Sequence, residues 1–118
     1  MGEYIVRRDG NKDLKFKGEV LADVSNQWVA GQNQTRWKEV SIYKTESGKY
    51  VVSVIHRTCW EGEADSFQAH VCETAEDVYR CLAVDDMGEE LLSTLAKEAL
   101  EEAAKKDKAF KAILYEEV

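Results

Sequence analysis

The segment LKFKGEVLADV alternates between apolar and charged residues with a period of two, which predicts a half-buried β-strand. The apolar side of this strand consists of Leu14, Phe16, Val20, Ala22 and Val24. Leu21 breaks the pattern, because it is an apolar residue on the charged side. Gly18 lies in the middle of the segment, where a glycine indicates either a β-bulge or the close approach of another backbone.

Four further segments have the pattern of strands. EYIVRR is a short apolar run that ends at the turn-forming residues DGNK. RWKEVSIYKT and KYVVSVIHRT are separated by ESG, which predicts a β-hairpin. The second of these two runs is apolar on both faces, as expected of an interior strand, and FQAHVCE alternates again with a period of two. The chain therefore begins with about five strands in meander order.

From Thr74 onwards the apolar residues follow the period of a helix. In TAEDVYRCL, Thr74 is a suitable N-cap, and two acidic residues follow it in the first turn. In EELLSTLAKEALEEAAKK, one face is apolar, and this stripe consists of Leu91, Leu92, Leu95, Ala96, Ala99 and Ala103. We predict that Asp107 caps a last helical segment, whose inward side consists of Phe110, Ile113 and Leu114.

Strands followed by helices are the pattern of the α+β class. We therefore predict one domain over residues 1–118: an antiparallel meander sheet of about five strands, followed by two or three C-terminal helices packed on one face. A length of 118 residues is sufficient for such a domain and its core. The sequence has no apolar run near the ~20 residues of a membrane helix and no signal-peptide pattern. We expect a cytoplasmic protein without membrane contact.

The net charge of −7 is unevenly distributed along the chain. Residues 1–57 contain ten Lys and Arg against seven Asp and Glu, a net of +3, whereas residues 58–118 contain six against sixteen, a net of −10. We interpret this asymmetry as a sheet half and a helix half that attract each other. A nucleic-acid-binding domain would need a stronger basic patch, so we do not expect nucleic acid as a partner.

Both histidines and two of the three cysteines lie in the stretch HRTCWEGEADSFQAHVC. A symmetric hairpin register would place His56 opposite His70, with Cys72 two residues further along and Cys59 as a possible fourth zinc ligand. The spacing matches no common zinc motif, and a register slip would separate the four side chains. We therefore expect no metal or other cofactor here. A zinc- or thiol-dependent module built on these four residues is the alternative.

The sequence gives little support for catalysis. A cysteine nucleophile would need a positive neighbour and exposure, but Cys59 is followed by the acidic residues Glu61, Glu63 and Asp65. These carboxylates lack the spacing of a calcium loop and are interpreted as a solvated turn. Motifs of nucleotide-binding proteins, serine hydrolases and metalloproteases are also absent from the sequence. We therefore predict a protein that is not an enzyme.

A protein-binding surface is the function that the sequence favours. Trp28 lies in a polar connection, residues 25–36, and Arg36 and Trp37 follow it. Tryptophan and arginine are common anchors of protein interfaces, so we predict partner contacts at these three residues. A homodimer could form through a sheet edge or through the Ala-rich helix.

Binding of single-stranded nucleic acid on a sheet face is a further alternative. It would use positive charge to hold the backbone and an aromatic ring to stack on the bases. The candidate residues are Lys15, Lys17, Arg36, Trp37 and Lys38.

Two motifs resemble those of the EXLDI proteins, a group of small bacterial proteins. They are F-x-G-x-x-L-A, from Phe16 to Ala22, and Y-K-T-x-x-G-K-Y-V-V, from Tyr43 to Val52. The resemblance covers roughly residues 14–82 and implies a related fold and a bacterial origin. The chain departs from that family because it begins directly in a strand, without an amino-terminal DNA-binding segment, and lacks the motif that names the family at its end. The resemblance therefore implies no catalytic residues.

Overall fold

In the residues that the structure describes, five strands and three helices follow one another, as the sequence pattern predicts. The computed structural model describes residues 2–25, 36–59, 62–83 and 94–115. Its elements are β1 (Gly2–Val6), β2 (Leu14–Ser25), β3 (Arg36–Thr45), β4 (Tyr50–Thr58), β5 (Ser66–Cys72), α1 (Ala75–Leu82), α2 (Thr94–Lys106) and α3 (Lys108–Leu114). The predicted start of the second helix, at residues 89–93, lies outside the described ranges.

The strands form one antiparallel sheet in the order β1-β2-β3-β4-β5. Each strand therefore pairs with its neighbour in sequence, which confirms the α+β class and the meander. The predicted hairpin between β3 and β4 closes where the Gly48 N–H donates to the Thr45 carbonyl at 3.0 Å. The turn needs Gly48 because its φ of 89° is unfavourable for other residues.

A β-bulge in β2 changes the face on which its side chains lie. Val20 pairs with Tyr43, whereas Ala22 pairs with Ile42, so Leu21 is an extra residue on β2. The prediction that the apolar residues of β2 share one face is therefore wrong. Those before the bulge and those after it lie on opposite faces, and Leu21 itself is 1% exposed in the core.

Gly18 marks a close approach of backbones, which is the second of its two predicted roles. It pairs with Thr45 across the β2–β3 ladder. A Cβ atom at Gly18 would overlap the carbonyl oxygen of Lys44. The bulge itself lies three residues further along the strand.

The larger hydrophobic core lies between one face of the sheet and the helices. Its buried residues are Leu21, Ala22, Val40, Ile42, Tyr50, Val52, Cys72, Ala75, Val78, Leu82, Leu95, Ala96, Ala99, Leu100, Ala103, Ala104 and Phe110. The alanine side of α2 is completely covered, since Ala99 and Ala103 are 0% exposed. These alanines are therefore not available to a second copy of the chain, and of the two predicted dimer surfaces only a sheet edge remains.

A smaller core lies on the opposite face of the sheet. It consists of Val6, Val51 and Ala69, with Leu14, Phe16 and Tyr43 packed against them. The rings of Phe16 and Tyr43 meet edge to face at 5.3 Å, and Tyr4 lies 5.1 Å from Tyr43. Residues from β1 and β5, the two outer strands, share this cluster, so the sheet is curled around it.

The curled sheet is held by contacts between the β1–β2 connection and β5. The Asp9 N–H donates to the Phe67 carbonyl, and the Phe67 N–H donates to Asp9 Oδ2, both at 2.9 Å. The Arg7 guanidinium lies 4.5 Å from the centre of the Phe67 ring, a favourable cation–π distance.

Both predicted helix caps are present. Thr74 Oγ1 accepts a hydrogen bond from the Asp77 N–H at 3.1 Å, and Asp107 Oδ1 accepts one from the Ala109 N–H at 3.0 Å. Phe110 is fully buried, as its position in α3 predicts. Within the described ranges, no helix combines the length and the apolar character needed to cross a bilayer.

Candidate functional site

The alternative cluster of His56, Cys59, His70 and Cys72 does not form. In the β4–β5 ladder, His56 pairs with Ser66, and His70 pairs with Val52. The symmetric register is therefore wrong: His70 lies four positions, roughly 13 Å, from the residue opposite His56. In the part of the chain that the structure describes, no three His, Cys, Asp or Glu side chains lie close enough to hold a metal ion.

A pair of thiols is present where sequence reasoning did not place one. Cys72 Sγ lies 3.6 Å from Cys81 Sγ. Cys72 is buried at the end of β5, and Cys81 is exposed on α1. The sequence did contain one signal for this pair, namely the helical spacing of Cys81 with the apolar Val78. This spacing places Cys81 near the inner side of α1, which begins three residues after Cys72.

The protonated form of Cys72 is strongly favoured. Burial is the main cause, and the neighbouring Cys81 adds to it; together they raise the pKa of the Cys72 thiol to about 12. A buried thiol of this kind is a poor nucleophile at neutral pH, because the thiolate is the reactive form. Of the two thiols in this pair, Cys81 is the one that an external reagent can reach.

The acidic turn is held by specific bonds rather than only by solvent. Asp65 accepts the Thr58 N–H at 2.9 Å and pairs with Arg57 Nη1 at 2.9 Å, while Arg57 Nε also bonds Glu39 at 2.7 Å. The Thr58 N–H and then Arg57 lower the pKa of Asp65. Thr58 Oγ1 donates to Glu63 at 2.7 Å. These carboxylates close the turn, so they have a structural role; Glu61 is outside the described ranges.

Of the three predicted partner contacts, the side chain of Trp37 alone is described. Trp37 lies on β3 opposite Arg57 and is half-buried. Its Nε1 atom is buried without a hydrogen-bond acceptor among the described residues. Trp28 lies outside the described residues, and only the backbone of Arg36 is placed, opposite Thr58. The binding role of all three stays a prediction.

The residues proposed for nucleic-acid binding do not share one face. Tyr4 pairs with Phe16, and Ile5 pairs with Lys15, so Lys15 lies on the face opposite the aromatic cluster. On β3, Trp37 shares the face of Tyr43, whereas Lys38 lies on the other side. The lysines therefore cannot hold a strand whose bases stack on Trp37.

A shallow depression of about 370 Å³ beside the β3–β4 turn is lined by Phe16, Lys17, Thr45, Glu46 and Ser47. Polar groups of its lining already bond each other. The Glu46 N–H donates to the Lys17 carbonyl at 2.7 Å, and Thr45 Oγ1 lies 3.0 Å from Ser47 Oγ. We assign no ligand to this depression.

The outer edge of β5 is the feature most suited to binding a protein. Both backbone groups of Phe67 bond Asp9, on the side away from β4. Because the bonding direction alternates along an antiparallel strand, the backbone groups of Ala69 and Val71 also point away from β4. Within the described ranges, neither residue has a hydrogen bond on that side. Val71 is 50% exposed, whereas Ala69 is only 6% exposed, so the accessible part of this edge is at Val71.

Comparisons of the chain with protein-family models, with curated proteins and with solved structures gave no match. The relation to the EXLDI proteins therefore stays a prediction from two motifs. In this chain the first motif spans Gly18 and the Leu21 bulge, and the second spans the β3–β4 hairpin. Both motifs contain residues that the fold itself requires.

Proposed function

We propose that this chain is a small cytoplasmic, non-enzymatic protein-interaction domain, and that its first partner is a second copy of itself, bound along the β5 edge. The observation that carries the proposal is Val71, which is 50% exposed and whose backbone groups point away from β4. An exposed strand edge with unpaired N–H and C=O groups is a ready acceptor for another strand.

A second copy fits this edge better than an unrelated segment because the exposed stretch is short and apolar at its centre. In a two-fold symmetric, antiparallel pair centred on Val71, each Val71 would exchange two backbone hydrogen bonds with its copy. His70 would then lie opposite Cys72 of the copy, so no like charges face each other. The two half-exposed valines would bury each other's side chains.

The experiment is light scattering coupled to size-exclusion chromatography over a series of concentrations. We expect the wild-type chain to change from monomer to dimer as the concentration rises. Val71→Lys should remain monomeric over the same range, because a lysine at the edge opposes strand addition.

Ile5→Lys is the matched control, since Ile5 is also an exposed apolar residue, 68% exposed, but lies on β1 at the other edge. It should dimerise like the wild type. A wild-type chain that stays monomeric at every concentration would contradict the proposal. A dimer disrupted by Ile5→Lys and not by Val71→Lys would also contradict it.

A further inference from the structure

Cys72 and Cys81 are placed for a reaction that the interaction domain does not require. Their sulfur atoms lie 3.6 Å apart, and a disulfide needs about 2.05 Å. One partner is on β5 and the other is on α1, with the Thr74 cap between them. Only Cys81 is exposed, so a reagent from solution reaches the pair from one side.

We propose that Cys72 and Cys81 form a reversible redox pair, which a low-molecular-weight disulfide such as oxidised glutathione converts to an intramolecular disulfide. Cys81 is the attacking residue and Cys72 the resolving one. The site is distinct from the His56, Cys59, His70 and Cys72 set considered from the sequence, because it uses Cys81.

The reaction proceeds in two balanced exchanges. In the first, the Cys81 thiol loses its proton and the sulfur attacks the small disulfide; a mixed disulfide forms at Cys81, and one small thiolate leaves and takes up a proton. In the second, Cys72 loses its proton to solvent and attacks Cys81 Sγ; the protein disulfide forms and the second small thiolate leaves and is protonated. Two protein thiols are oxidised by two electrons, and one small disulfide is reduced to two thiols.

The second exchange should depend strongly on pH. Because Cys72 must be ionised for the second exchange, and its pKa is raised to about 12, the rate of ring closure should rise about tenfold for each pH unit between pH 7 and 10. The product joins the end of β5 to α1 through a short loop, so the oxidised chain should melt about 5–10 °C higher than the reduced one.

The test uses the full-length chain, fully reduced and then equilibrated with graded ratios of oxidised to reduced glutathione. Samples are quenched with acid, alkylated and analysed by intact mass and peptide mapping. We expect a species in which Cys72 is joined to Cys81 and only Cys59 is alkylated, so that it carries one alkyl group where the reduced chain carries three.

Three variants define the site. Cys59→Ser should give the same disulfide, although Cys59 is also exposed. Cys81→Ser, a change at an exposed position, should abolish the disulfide and leave Cys72 unmodified. Cys72→Ala should accumulate the glutathione adduct at Cys81, because the resolving thiol is gone.

The proposal is overturned if the wild type accumulates the Cys81 adduct as Cys72→Ala does, without ring closure at any glutathione ratio. It is equally overturned if the disulfide that forms contains Cys59. Cys81→Ser keeps the test decisive if Cys72→Ala does not fold, since it alters only a surface residue.

Discussion

Gly18 is the residue on which the pairing of β2 with β3 most directly depends. The Lys44 carbonyl occupies the position where a side chain at residue 18 would begin. The Lys44 carbonyl and Thr45 Cα, the atoms that an added Cβ would meet, belong to the backbone of a paired strand. They therefore cannot move aside as a flexible side chain would. The glycine therefore has a steric role here, because its φ lies outside the left-handed region.

We predict that Gly18→Ala destabilises the chain by about 1–3 kcal/mol, the usual cost of overpacking. Urea unfolding followed by circular dichroism measures this difference. Gly2→Ala is the matched control on the neighbouring strand, where an added Cβ would make ordinary contacts of 3.4 Å or more. It should change the free energy of unfolding by less than about 0.5 kcal/mol, and equal effects of the two changes would contradict the prediction.

Leu21 shows what could be predicted at this scale and what could not. The two-residue period of β2 indicates a strand. The same period would occur with or without a bulge, so it does not show that the side chains change face within the strand. The one signal was Leu21 itself, an apolar residue among charged ones. It is buried because the bulge turns it toward the helices.

At the scale of elements, Asp107 joins the α2–α3 junction to the sheet. Its carboxylate accepts Tyr50 Oη at 2.7 Å and pairs with Lys44 Nζ at 3.2 Å. Burial alone would raise the pKa of Asp107, but the bonds from Tyr50, Ala109 and Lys44 lower it overall. Burial and then the bond to Asp107 raise the pKa of Tyr50 to about 12.

This raised pKa predicts a loss of stability at alkaline pH. Below pH 10 Tyr50 is protonated in both the folded and the unfolded chain, and it contributes no pH dependence. Between pH 10 and 12 the unfolded chain loses the proton first, so the free energy of unfolding should fall, by at most about 2–3 kcal/mol. Urea unfolding at pH 8, 10.5 and 11.5 measures the decrease.

Tyr50→Phe should reduce this alkaline slope, although it also removes the bond to Asp107 and costs about 1 kcal/mol at neutral pH. Tyr115→Phe is the control, because Tyr115 is 65% exposed. The free energy of unfolding of Tyr50→Phe should still decrease somewhat at alkaline pH, because the pKa of Cys72 is also raised. An unchanged slope in Tyr50→Phe would contradict the prediction.

The elements themselves were predictable where the signal is local. Thr74 and Asp107 are caps that satisfy N–H groups two or three residues away, so the sequence carries them directly. The β4–β5 register was not predictable in this way. It is set by Asp65, which bonds both Arg57 and the Thr58 N–H and so closes the turn early. This shifts His56 away from His70, so the alternative ligand cluster cannot form.

At the scale of the whole molecule, the basic half of the chain supplies β1 to β4, whereas the acidic half supplies β5 and the three helices. Lys44 on β3 pairs with Asp107, Lys49 pairs with Glu73, and Lys106 donates to the Val20 carbonyl at 3.0 Å. These contacts join the two halves of the chain and fit the interpretation of mutual attraction. The contact of Asp9 with Phe67 had no sequence signal, because 58 residues separate the two.

We predict that Asp9→Ala loosens the curl of the sheet. The Phe67 N–H loses its carboxylate acceptor, so its hydrogen exchange should become faster, and the chain should lose about 1 kcal/mol of stability. Hydrogen exchange followed by NMR measures the Phe67 amide directly. Asp13→Ala is the control, because Asp13 accepts the Arg8 N–H within the same connection. Equal exchange of Phe67 in wild type and Asp9→Ala would contradict the prediction.

The position of Asp9 would also limit how far the proposed association can proceed. It already occupies both backbone groups of Phe67, so the length of β5 open to an incoming strand is only a few residues. A long exposed strand edge promotes edge-to-edge aggregation into fibrils, and a short edge is one way in which proteins avoid such aggregation. In the proposed dimer, Asp9 would therefore leave room for a single symmetric contact and too little for a growing filament.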